Sequence, residues 1–264
     1  METFEQTNGL SHRNEFAGPF GLSENDHALF VIAHPDDELL IGGSLLTLLK
    51  QQQPLDIVVL TNGEQSTRGN RDFVQSGKRK YESIAALATY GAHVDQQRYL
   101  ALPDAFLHTE AVAALGATAL STLIVKNQTK AIITAGTYGY DGHSDHIAAH
   151  AIALTAAQSA ADLHHANITV WGLSERPGDE SFAVDPYDKL AALSRHYSQF
   201  DLHGAEPFRK HDWVSYGGYD MSPETAHLLT PYAALLTSES YNSTFLSPTA
   251  PSYAILKEKQ GVLV

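Results

Sequence analysis

The chain has 264 residues, a formal net charge of -13, fourteen histidines and no cysteine. That length holds one large domain with a substantial core, and an acidic balance with no basic run argues against nucleic acid or an anionic membrane as partner. The absence of cysteine excludes disulfides, thiolate zinc sites and cysteine nucleophiles, so any metal must be held by nitrogen and oxygen.

Residues 1–26 are polar and read as an irregular lead-in. They lack the positive and apolar regions of a secretory signal, and no apolar stretch approaches the length of a membrane span, so a soluble cytoplasmic protein is expected. From Ala28 to Ala33 an almost uninterrupted apolar run has the pattern of a strand buried on both faces of a parallel sheet. It ends abruptly in His34, Asp36, Asp37 and Glu38, and from Leu39 the leucines recur at helical spacing. This is a strand, a polar turn and a helix. A second strand, Leu55 to Leu60, runs into Thr61, Asn62, Gly63 and Glu64. After a polar loop over 65–77, a helix is expected over 78–90, with Tyr81, Ile84, Ala85 and Leu87 inward and Gly91 as its stop.

Tyr99 to Leu102 is a short strand ending in Pro103 and Asp104, and the alanine- and leucine-rich stretch 109–126 is helical. Ala131 to Ala135 is a further strand that leads into GTYGYDGHSDH, the second polar cluster. A helix follows from Asp145 through Ala161, with Ile147, Ile152 and Leu154 available for packing. His143 and His146 therefore stand where His34 stands, just past a strand and at a helix start. Ile168 to Leu173 is one more strand, and 186–200 reads as an amphipathic helix with Leu190, Leu193, Tyr197 and Phe200. Beyond 201 the chain is mixed and aromatic, with turns at Gly217, Gly218 and Pro223. The alternation predicts an α/β fold, Rossmann-like, with a mostly parallel sheet, helices on both faces and an irregular C-terminal part. One domain over 1–264 is expected, with its core at about 27–200 and a substrate-shaping region at about 201–264. No G-x-G-x-x-G follows the opening strand, which removes most of the support for a dinucleotide role.

Ionisable groups packed as closely as His34, Asp36, Asp37 and Glu38 are costly to desolvate unless something compensates their charge, and a divalent cation does so most simply. A helix-capping cluster would explain the acids but not His34. His34 and Asp37 from one strand end, with His143 or His146 from another, make the two-nitrogen, one-carboxylate set of a catalytic zinc with an open position. Iron(II) fits the same ligands. Asp36 is left over, and a carboxylate beside a metal-bound water can take its proton and deliver it to a leaving amine. The second histidine can polarise a carbonyl as charge develops on its oxygen.

AHPDDE at Ala33 to Glu38, TNGE at Thr61 to Glu64, and Arg79 with Glu82 ahead of Tyr90-Gly91 form a recurring pattern. It continues through LPD at Leu102 to Asp104, GHSDH at Gly142 to His146 and H-x-S-Q at His196 to Gln199. In this order, over roughly residues 28–200, it resembles the LmbE/PIG-L family of zinc-dependent deacetylases. The resemblance implies that His34, Asp37 and His146 bind zinc, that Asp36 is the general base and that His143 assists the oxyanion. It further implies that Asp145 orients one of its two flanking histidines through a hydrogen bond, and that Arg79 and Asp104 contact the sugar. Some relatives carry a tyrosine two residues before the first histidine of the second motif. Asp141 stands there in this chain, with Tyr140 adjacent.

The expected activity is removal of an N-acyl group, acetyl first among them, from an N-acetylglucosamine-type moiety of a soluble small molecule. A catalytically inactive carbohydrate-binding protein on the same fold is the alternative, and a metal phosphoesterase, which would want a second metal, ranks last. Asp36 discriminates, because a binding module needs no free carboxylate beside its metal. Arg79 and Glu82, at helical i, i+3 spacing, also fit a plain ion pair. His196 reads as structural, His150 is left out of the ligand set, and Trp213 and Tyr216, which could floor a sugar pocket, read better as core.

Overall fold

The computed structural model describes residues 18–66, 73–204, 210 and 212–249. Most of the polar lead-in expected over 1–26 lies outside them. In chain order the elements are β1 (His27–Ile32), α1 (Glu38–Lys50), β2 (Leu55–Thr61), α2 (Phe73–Thr89), β3 (Gln97–Leu102), α3 (Glu110–Asn127), β4 (Thr129–Thr134) and α4 (Ser144–His164). There follow β5 (Ile168–Ser174), β6 (Glu180–Ala183), α5 (Pro186–Leu193), β7 (Leu202–Gly204), β8 (Val214–Tyr216), β9 (Tyr219–Met221), α6 (Pro223–Leu229) and β10 (Ser238–Leu246).

The main sheet has seven strands in the order β3-β2-β1-β4-β5-β10-β6. β1 to β5 are parallel to their neighbours, with Phe30 of β1 opposite Ile57 and Ile133, while β10 runs antiparallel to β5 and β6. Successive side chains of a strand point to opposite faces, and β1 shows why its apolar run is unbroken. Ala28, Phe30 and Ile32 pack with α1 and α2, and Leu29, Val31 and Ala33 with α3 and α4. The chain leaves β2 toward one edge and β4 toward the other, so the order reverses between β1 and β4. Ligands in such sheets bind at the carboxyl ends of the strands flanking that reversal. Both polar clusters begin there.

Three expectations need correction. Tyr81 is 74% exposed and Ala85 is also exposed; the inward face of α2 carries Arg79, Glu82, Ser83, Ala86 and Leu87, with Tyr90 buried just past its end. Apolar periodicity misjudges this face because buried polar residues interrupt it. The helix expected over 186–200 ends at Leu193, after which tight turns aim His196 and Ser198 into the interior instead of continuing the apolar stripe. Tyr197 is left outside. Ile147, offered for packing, lies on the exposed side of α4.

The central sheet also extends past residue 200, because β10 fills the place between β5 and β6. Its Glu239 accepts from the Gly43 and Ser44 N–H groups of α1 at 2.6 and 2.8 Å, while Lys189 of α5 bonds Glu239 at 2.6 Å and the Leu39 carbonyl at 2.6 Å. Gly43 is required, because a Cβ there would press on Val184 and on the Glu239 carboxylate. Both charges are fully buried. Removing one partner strands the other, so Lys189→Met is expected to cost about 3–5 kcal/mol in guanidinium unfolding; an unchanged midpoint would show that Glu239 does not depend on the lysine.

A three-stranded sheet, β7-β9-β8, packs its Leu202, Tyr219 and Met221 against Leu39 and α5. Trp213 is buried there, stacked on His203 at 5.4 Å, whereas Tyr216 is 40% exposed. Among the described residues no helix is long and apolar enough to cross a membrane.

Candidate active site

The loop after β1 delivers His34, Asp36 and Asp37. Asp36 has φ +109°, a conformation that side chains rarely adopt and that persists only where surroundings enforce it. Its N–H donates to Glu38 Oε2 at 3.1 Å and its carboxylate accepts from Arg79 Nη2 at 2.9 Å. Arg79 is only 4% exposed and also donates to the carbonyls of Pro35 and Gly63, both at 2.6 Å. It is therefore bound to Asp36, while Glu82 bonds Ser198. Burial raises the pKa of Asp36 from its ordinary value, and Arg79 opposes that rise without cancelling it.

Asp37 joins the two clusters. Its Oδ1 lies 3.0 Å from His146 Nε2, and its Oδ2 lies 3.4 Å from His34 Nδ1 while accepting the His34 N–H at 2.8 Å. The nitrogens of each ring that face away are fixed by other carboxylates. His34 Nε2 lies 3.3 Å from both Asp104 and Asp145, and His146 Nδ1 bonds Asp141 at 3.0 Å and the Gly139 carbonyl at 3.2 Å. Gly139, at φ +68°, lets the loop fold tightly: a Cβ would meet the His143 carbonyl and His146 Cβ.

Burial works against charge on both rings, yet the surrounding carboxylates outweigh it, raising His34 well above its ordinary range and His146 to about 10. Burial likewise pushes Asp37 up, but the two imidazoles hold it well below the usual carboxylate range. Such an excess of buried acid around neutral-capable imidazoles is the balance a divalent cation satisfies, releasing the protons as it binds.

His143 caps α4, its Nδ1 accepting the Asp145 N–H at 3.2 Å. Burial first, and then the neighbouring imidazoles, lower its pKa. The neutral ring therefore carries its proton on Nε2, as a donor. Ring nitrogens of His34, His143 and His146 lie within 4.8 Å of one another, as do those of His34 with the carboxylates of Asp104 and Asp145. In the second group, Asp104 already accepts the Gln65 N–H at 2.6 Å and Asp145 the Ala105 N–H at 2.7 Å.

One expectation changes here. The Asp145 carboxylate bonds His34, not a flanking histidine, because side chains in a first helical turn tilt back toward the helix start and here reach the end of β1. His150 turns away: its Nδ1 bonds the Ala135 carbonyl at 2.8 Å and its Nε2 approaches Thr137 at 3.5 Å. His150→Ala is accordingly expected to leave metal content unchanged on elemental analysis.

Sequence reasoning missed two partners. Asp141 stands out in the motif only as a departure, yet it anchors His146 and accepts from Tyr232 at 2.6 Å. Tyr232, far downstream, gives no sequence signal at all. It stacks on Tyr140, centroids 6.3 Å apart. The cleft holding these groups is about 310 Å³ and opens, through Ser66, Asp141, Gln199 and Tyr232, onto a cavity of about 890 Å³. His227, Leu228 and Pro231 wall the larger space.

Residues 29–157 match the family model described as PIG-L, GlcNAc-PI de-N-acetylase. The chain is 29% identical over 164 residues to the 1D-myo-inositol 2-acetamido-2-deoxy-alpha-D-glucopyranoside deacetylase of Tsukamurella paurometabola, a match covering 50% of this chain and 55% of that protein. It thus spans about half the length of that curated relative. Its fold is similar to N,N'-diacetylchitobiose deacetylase from Pyrococcus horikoshii, with TM-score 0.60 and 16% identity over 83% of this chain and 84% of that one. It is similar also to the 4-carboxy-2-hydroxymuconate hydratase of Pseudomonas putida, with TM-score 0.57 and 16% identity over 86% and 99%. Identities this low speak for the fold alone, and proteins of this fold bear the names of a deacetylase and a hydratase, so the reaction must be argued from the site.

Proposed function

We propose, from the match of residues 29–157 to the PIG-L family model, a metal-dependent hydrolase that removes acetyl from an N-acetylglucosamine-type moiety of a soluble small molecule in the cytoplasm. The observation that carries this reading is Asp36, a partly buried carboxylate fixed by Arg79 at the edge of the cluster in which Asp37 receives His34 and His146. His34, Asp37 and His146 would hold zinc, or iron(II), since each imidazole offers one nitrogen toward Asp37 and has the other anchored on a carboxylate, the usual support for a ligating histidine. When bound, such an ion supplies Lewis-acid polarisation of water and of the amide carbonyl.

The chain's own groups do the rest. Asp36 takes a proton from the attacking water and delivers it to the amide nitrogen as the C–N bond breaks, so that acetate and a free amine leave. His143 donates from Nε2 to the carbonyl oxygen as charge develops there. Arg79 orients Asp36, and Asp104 and Asp145 orient His34. Both Arg79 and Asp104 border the cleft, where the remaining acceptor capacity of Asp104 suits a sugar hydroxyl. The larger cavity, walled partly by α6 and the turn after it, would receive the rest of the substrate, which gives the region after 201 its role in substrate choice.

A net charge of -13 disfavours work at an anionic membrane surface, where polybasic segments are the usual means of approach. Zinc-loaded protein is therefore expected to release amine from soluble N-acetylglucosaminides and not from N-acetylglucosaminyl phosphatidylinositol in vesicles. Turnover of the vesicle substrate alone would overturn the soluble assignment; no turnover of any acylated amino sugar, with sugar still bound, would favour the binding protein.

A further inference from the structure

The H-x-S-Q segment has no part in the chemistry above, yet it supplies the most enclosed polar cluster next to it. His196, Glu38 and Glu82 are 0%, 1% and 2% exposed. We propose that His196 is a positioning residue for Asp36, acting through Glu38, so that α2 grips the proton carrier at both ends. The inference rests on Asp36 having that role.

The Asp36 side chain is held directly by Arg79 of α2. Its N–H is held by Glu38 Oε2 at 3.1 Å, and the other oxygen of Glu38 is bonded by His196 Nε2. The second nitrogen of His196 faces Glu82 Oε2 at 4.0 Å. Glu82 belongs to α2, one turn beyond Arg79, and is itself fixed by the N–H and hydroxyl of Ser198 at 3.1 and 2.6 Å. Gln199 donates to Ser198 Oγ at 3.1 Å and accepts from Ser66 at 2.7 Å, at the mouth of the cleft.

Each residue of the motif thus closes one link. Glu38 is held in place by His196 on one oxygen and by the Asp36 N–H on the other, and without the imidazole that carboxylate is stranded in the core and swings away. The Asp36 N–H then loses its acceptor. A backbone at φ +109° relaxes when its restraints go, and the carboxylate would then leave the orientation in which it meets the reacting atoms. Burial opposes charge on His196, but Glu38, Asp36 and Glu82 more than offset that and raise its pKa, in keeping with a cation between carboxylates.

A double-mutant cycle on the zinc-loaded full chain tests this. His196→Ala is expected to lower kcat about 10- to 100-fold while KM stays within about twofold and zinc content is unchanged, a loss confined to the chemical step. In an Asp36→Asn background the same substitution should change kcat by less than about threefold, because groups acting through one another are not additive. Equal losses in both backgrounds would overturn the inference. An Asp36→Asn protein as active as the parent would instead overturn the function it rests on. Should His196→Ala not fold, Glu82→Gln, which keeps the volume, is expected to show the same non-additivity with a smaller loss, and additivity there would be equally decisive.

Discussion

If the proposed function holds, His34→Ala and His146→Ala proteins each purify with a small fraction of the parent's metal and lose the proposed deacetylase activity outright, as the parent should on treatment with chelator. A tetrahedral catalytic site has three protein ligands and one open position, so removing one leaves two and no stable cage. The structure offers a finer comparison. His34, His143 and His146 are close enough to act as a three-imidazole set, whereas the proposed set replaces His143 with Asp37. The two differ in what a substitution does. If Asp37 is the ligand, Asp37→Ala loses the metal and His143→Ala keeps it with impaired turnover; the reverse result would exchange their roles. Asp141→Ala, which removes the carboxylate on the outer nitrogen of His146 together with the acceptor of Tyr232 and of the His143 N–H, should weaken metal binding by the 10- to 100-fold typical of such outer partners. Full zinc occupancy in both histidine variants would sink the assignment.

Much of this site is legible in the sequence because the fold places it predictably. His34 and His146 each follow a buried strand, and adjacent parallel strands bring their carboxyl ends together, so residues 109 apart in the chain, Asp37 and His146, meet at 3.0 Å. What sequence patterns do not show is which polar residues are buried. Arg79, Glu82 and Ser83 interrupt the apolar face of α2, so periodicity points to Tyr81, which is exposed. His196 and Ser198 end α5 early by reaching inward, and no local propensity announces that. The Asp145 carboxylate holds His34, while only its N–H reaches the neighbouring His143, because helix geometry decides where the side chain points. Tyr232 and Glu239 arrive through long-range packing alone, one on Asp141 and one in the middle of α1. Their partners lie 91 and 196 residues away.

Asp36→Asn is expected to retain zinc while losing roughly two to four orders of magnitude in kcat, the range for removing a general acid–base group. The substitution is nearly isosteric and keeps an acceptor for Arg79, so the guanidinium loses charge complementarity but not its place against the carbonyls of Pro35 and Gly63. The amide can neither accept a proton from water nor pass one to nitrogen, and an amine leaves poorly unless protonated. Retention of metal separates this role from that of Asp37, which stands next to it in the sequence and whose loss should empty the site. Substrate affinity offers a second check. A group that acts only as bonds change should leave KM nearly untouched, while one that holds the sugar should raise it. An Asp36→Asn protein that has lost its zinc would make Asp36 a ligand, and one with the parent's kcat would leave the proton transfers to another group and remove the feature on which the hydrolase reading stands.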